Sequence, residues 1–327
     1  MVKHCVLLLA LAAAHSADAA ASKAHARTES DRYAAWAAQA AQVLGARADA
    51  NSLATAAALT VIGSRLKVDP SRSELAALDL AARASELAPQ NSAIGWLRLQ
   101  LCALAPACDM RDTATVMRWV DPDNAAAWLP TLSVAERDKD TTEVDRVLAD
   151  MAREPHFDFY WNRIVVFMFD ALDAVRNELT GYAGSDSARY AAVIGIAGGE
   201  VIPPFAPLVD ACREAAAYPE RRDLCLRLAK TMQRGDTIAA QLMGFGIERR
   251  LLAPDSKEVR AIAERRRVLE WRVAAAARFD NPLLPWTKNA RARARLAQMR
   301  ALPREEDVCI AILREHKMAV DPPEMHP

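Results

Sequence analysis

A chain of 327 residues is long enough for one extended repeat array or two compact domains. Alanine and leucine dominate, only 11 residues are glycine and no stretch sustains apolar–polar alternation, which argues for helices and against a sheet. The formal charge is zero but unevenly spread: residues 21–200 hold 18 basic against 24 acidic side chains, 201–304 hold 21 against 11, and 305–327 hold 2 against 6.

The N-terminus reads MVKHCVLLLALAAAHSADAA. Lys3 precedes an apolar run from Cys5 to Ala14, and Ala17 and Ala19 form an A-x-A pattern. This is the layout of a secretory signal peptide over residues 1–19, cleaved after Ala19. The run is shorter than the ~20 residues a membrane-spanning helix needs. Cys5 lies too early to be a lipid-modified cysteine. The expected mature protein is periplasmic or secreted, without a membrane span, and export argues against nucleic acid as a partner.

Residues 30–68 read as two helices, with Trp36 in the first. The stretch SELAALDLAARASELAPQNSAIGW (73–96) then holds a helix, a turn and the start of another helix, and DPDNAAAW (121–128) repeats the turn and start. Pro89 and Pro122 are 33 residues apart, and Trp96 and Trp128 are 32 apart. Proline with Asn or Asp stops one helix and begins the next, each tryptophan is expected between the helices of a hairpin, and small Ala77 and Ala84 allow close approach. After the turn Asp138-Lys139-Asp140, Thr141 or Thr142 is expected to cap the following helix.

A period of about 34 residues is that of tetratricopeptide-type hairpins, and residues 73–155 resemble this family. The resemblance implies a superhelical array of helical hairpins over 20–179 whose surface binds a protein or peptide.

An aromatic-rich helix is expected over 156–175, its Phe, Trp and Met side chains serving as packing groups. Five of the 11 glycines lie between Gly181 and Gly199, and Pro203, Pro204 and Pro207 follow, marking 180–207 as a junction that retains one helix near 186–197. Its glycines lack the lysine and threonine of a phosphate loop. A second all-α subdomain follows over 208–327, with helices at about 207–217, 221–233, 236–252, 256–279, 287–301 and 304–318. Asp236-Thr237 and Asp255-Ser256 are candidate N-caps.

Five cysteines remain after export, and an oxidising compartment favours their pairing. Cys212 and Cys225 lie symmetrically about the Tyr218-Pro219 turn, so an antiparallel hairpin sets them face to face. Cys102 and Cys108 bracket a turn containing Pro106. Neither pair has zinc-site spacing and the histidines are scattered, so disulfides are favoured over free thiols or a metal. Cys309, on an apolar helix face with Ile312 and Leu313, reads as a buried thiol.

The chain shows no active-site motif in a fitting context, and Asp170 and Asp173 read as a solvated helix edge. No catalytic, cofactor or metal residue is assigned. Arg265, Arg266 and Arg267 in the basic half are candidates for binding an anionic envelope component, with solvated helix faces and pairing to the acidic half as the plainer reading. The chain therefore reads as an exported interaction scaffold rather than an enzyme. Anion binding by the basic half is the alternative, and an enzyme site near 181–199 the weaker one.

Overall fold

The computed structural model describes residues 18–65, 70–215, 218–279 and 289–323. Among these the protein is all-helical, with no strand. The first helices are α1 (Asp18–Gly45), α2 (Ala50–Arg65), α3 (Pro70–Leu87), α4 (Ser92–Leu104) and α5 (Met110–Val120). A short 3-10 helix (Ala125–Trp128) leads into α6 (Leu129–Asp138), α7 (Thr141–Met151), α8 (Trp161–Ala174) and α9 (Asp186–Glu200). The remainder are α10 (Ala206–Glu214), α11 (Pro219–Met232), α12 (Ile238–Leu251), α13 (Lys257–Ala277), α14 (Asn289–Ala301) and α15 (Glu305–Glu315). Most of the segment expected to be a signal, residues 1–17 with Cys5, lies outside the described residues. Among the described residues no helix is long and apolar enough to cross a membrane.

Local chemistry explains where many helices begin. Asn91 accepts the N–H groups of Ala93 and Ile94 to start α4, and Ser185 accepts that of Ala188 to start α9. Thr237 and Ser256 cap α12 and α13 as their sequence suggests. At α7 the cap is Asp140, which accepts the Glu143 N–H at 3.0 Å, rather than Thr141 or Thr142. The preceding Lys139 takes the left-handed conformation, φ 57°, and this rotates the chain so that the aspartate reaches the first turn.

Small side chains set the close packing of the first helices. Ala77 and Ala84 are buried in α3 beside α2, whose Ala56, Ala57 and Ala58 are all inaccessible. Trp96 is wholly buried, stacks on Phe159 with ring centroids 5.1 Å apart, and donates its indole N–H to the Val201 carbonyl at 2.9 Å. Trp128 is instead half-buried, and the Arg118 guanidinium covers its ring at 4.3 Å.

The aromatic helix begins five residues later than the sequence suggests. Residues 156–160 are held out of it because the Ala125 N–H donates to the His156 carbonyl at 2.9 Å and the Asn124 side chain grips Asp158. Phe157, Phe159, Met168 and Phe169 are buried, as packing groups should be. Between Thr180 and Pro207, α9 packs against α2, α4, α8 and α14. One cluster of buried side chains runs from Trp36 to Leu313, while Phe245, Ile262 and Leu269 form a smaller one between α12 and α13.

Candidate functional site

Helix α5 carries the most exposed large apolar side chain among the described residues. Asp109 caps it by accepting the Arg111 and Asp112 N–H groups, each at 3.0 Å. Thr113, Ala114 and Met117 form its buried face. At 100° per residue, Trp119 falls on the opposite side from these three, and Val116 at its flank. Trp119 is 74% exposed and Val116 39%. Of the seven large apolar side chains exposed among the described residues, five (Leu75, Leu87, Leu104, Val116 and Trp119) lie on α3, α4 and α5.

Between α5 and the α3–α4 turn lies a groove of about 220 Å³, lined by Pro89, Gly95, Arg98, Val116, Met117 and Trp119 among others. Gly95 matters to its depth, because a Cβ there would meet the Met117 sulfur at 3.1 Å. The end of α4 is joined to the segment leading into α5 by Cys102–Cys108, at disulfide distance with Cα atoms 5.3 Å apart. Cys212 and Cys225 are likewise at disulfide distance, joining α10 to α11 with Cα atoms 5.7 Å apart. Cys309 takes part in neither bridge and is partly buried.

The three arginines of the basic half point to separate partners. Arg265 reaches Gln233 at 2.9 Å and Glu248 at 3.3 Å, Arg266 pairs with Glu270 at 2.8 Å, and Arg267 pairs with Glu264 at 2.7 Å. Asp170 pairs with Arg300, and Asp173 with Arg176 and Arg189. In the junction, Arg189 is buried and also donates to the carbonyls of Ala183 and Gly184. Among the described residues no three His, Cys, Asp or Glu side chains are grouped to hold a metal ion.

A polar clasp joins the DPDN turn to the start of α8. Asn124 donates to the Asp158 carbonyl at 2.9 Å and the Tyr160 hydroxyl at 2.8 Å, and accepts the Asp158 N–H at 3.0 Å. Tyr160, at φ 58°, donates its hydroxyl to Asp121, and His156 Nε2 donates to the same carboxylate at 3.1 Å. Burial opposes ionisation of Asp121, but these hydrogen bonds hold its carboxyl below the usual range. The bond to Asp121 in turn raises His156. Asp236 extends the clasp from before α12, accepting the N–H groups of Phe159 at 2.8 Å and Trp161 at 3.1 Å. Burial raises Asp158 and, with the Asp158 charge, pushes Asp236 up to about 8. These groups are turned on one another and on the backbone, so the arrangement fixes the entry to α8.

No protein-family model, curated protein or solved structure matches this chain.

Proposed function

We propose that the chain is an exported interaction protein whose tetratricopeptide-like hairpins, centred on α3 to α7, present the α3–α5 groove to a protein partner. The observation that carries this reading is Trp119, 74% exposed beside an apolar groove that exposed Val116 also lines. Tryptophan is favoured at the centre of interfaces because it buries a large rigid area on binding. Successive packing of α3 on α4, α4 on α5, α5 on α6 and α6 on α7 supports the hairpin array. The fitting occupant is an apolar helix face or extended segment of another protein, since the lining is largely apolar, with Arg98 at its edge. Two cysteine pairs at disulfide distance are compatible with the oxidising compartment to which the proposed signal, residues 1–19, would direct the chain.

A photo-crosslinking residue at Val116 tests the proposal in the envelope fraction of cells producing the full chain. A discrete stoichiometric adduct should form and should disappear when Trp119 is also changed to Glu. An adduct pattern unchanged by Trp119→Glu, or no adduct at all, overturns it.

A further inference from the structure

Away from that groove, a larger cleft of about 620 Å³ opens between α11 and α12 on one side and α13 on the other. Its volume falls within the roughly 300–1,000 Å³ of small-molecule sites. Three polar side chains in its walls are at least nine-tenths buried: Gln233 at 9% exposure, Gln241 at 2% and Glu248 at 5%. They are held in a fixed arrangement. Gln233 donates to Glu248 Oε2 at 2.6 Å, Arg265 bridges both, and Gln241 donates to the Gly235 carbonyl at 3.0 Å. That leaves Gln241 Oε1 and Glu248 Oε1 accepting no hydrogen bond among the described residues. Neither oxygen is sealed from solvent, so both stand in the wall of the cleft as free acceptors for a ligand that brings hydroxyl or N–H groups.

The charges at the mouth set the sign of that ligand. Glu306 and Asp321 pair with Arg272, Glu264 pairs with Arg267, and Glu248 pairs with Arg265. Lys230 and Arg234, one helical turn apart and exposed at the rim, have no carboxylate partner among the described residues. The lining as a whole balances, four cations against four carboxylates, but Lys230 and Arg234 stand together without a carboxylate partner among the described residues and so favour an anion at their end of the rim. Phe245, with the Arg265 guanidinium 5.5 Å from its ring centroid, and Leu269 supply an apolar wall beside the amides. A carboxylate at one end, hydroxyls along the body and an apolar C–H face are the features of a sugar acid.

We infer that this cleft binds a small carboxylated polyol of the uronic-acid type, its carboxylate at Lys230 and Arg234 and its hydroxyls on Gln241 and Glu248. The site is separate from the docking groove and stands or falls independently of it. Calorimetric titration of the full-length mature chain with D-glucuronate, D-glucose and acetate tests it. Glucuronate should bind saturably below about 10 mM and at least about tenfold more tightly than glucose or acetate, which each carry half of the recognised features. The double variant Lys230→Ala/Arg234→Ala should weaken glucuronate at least about tenfold, and Gln241→Met, with melting checked, should weaken it as well. Arg266→Gln, whose partner Glu270 lies outside the cleft lining, should leave it unchanged. No saturable glucuronate binding, equal affinity for acetate, or a loss on Arg266→Gln matching that of the double variant overturns the assignment.

Discussion

Asp236 is 4% exposed and shares its oxygens between two backbone N–H groups. Loss of solvent and the neighbouring Asp158 push it up to about 8, and burial pushes Glu305, which accepts the Ile238 N–H at 2.8 Å, up to about 7. In the unfolded chain such carboxyls titrate near ~4. The folded protein therefore holds protons that the unfolded chain releases between about pH 4 and pH 8, and stability falls as pH rises through that window. His156, raised by its bond to Asp121, acts in the same sense, its contribution lost as pH climbs through its folded value. Asp121, held low, acts oppositely, losing its contribution as pH falls. Melting followed by circular dichroism should show Tm dropping by several degrees between about pH 5 and pH 9. Asp236→Asn should flatten that slope while lowering Tm at the acid end, since it leaves one acceptor for two donors. A Tm that rises across the range would remove this account. Close approach gives another residue-scale expectation. A Cβ at Gly244 would lie 2.6 Å from the Ala229 carbonyl and 2.9 Å from the Met232 Cβ, so Gly244→Ala should cost about 1–3 kcal/mol in chemical denaturation. Gly246→Ala, which meets nothing within 4 Å, should be neutral or slightly stabilising.

At the scale of elements, the helices after residue 205 were legible because Pro219 and Pro303 and the caps Thr237 and Ser256 punctuate them by local chemistry alone. The cysteine pairs were legible for the same reason, their symmetry about a turn. Residues 156–160 were not, because what holds them is Asn124, 34 residues upstream of Asp158. Of the groove, the hairpin turn at Pro89 was readable, but Trp119 was missed. Its signal lay in the inward set Thr113, Ala114 and Met117, which leaves the tryptophan facing outward. The cleft was missed apart from Arg265. Its signal is Gln241 and Glu248 at i and i+7 on either side of Phe245 at i+4, two polar groups on a buried stripe of α12. The Cys102–Cys108 pair closes a separation of 6 residues. Replacing both by Ser should cost roughly 2 kcal/mol in denaturant unfolding. The same variant should reduce crosslinking through Val116, since α4 and α5 are no longer pinned. Unchanged unfolding would show that the bridge constrains nothing beyond what Asp109 already fixes.

On the scale of the whole molecule, the uneven charge is partly neutralised between halves. Arg221 pairs with Asp145 at 2.5 Å, Arg293 pairs with Asp186 and Arg300 with Asp170, each a cation of the basic half on a carboxylate of the acidic one. The sequence shows the imbalance but not these partners, which lie 76, 107 and 130 residues apart. The same distances bear on how the chain assembles. Helix α14 packs on α8, and Asn162 donates to the Leu302 carbonyl at 2.7 Å across 140 residues. Helices α1 to α7 each pack on their neighbours in the chain, but one flank of α8 has no cover until residues 289–302 reach it. Until the roughly 130 residues from the end of α8 to the end of α14 are in place, that flank is a surface for chaperones to hold, and a chain stopped short of α14 would carry it permanently.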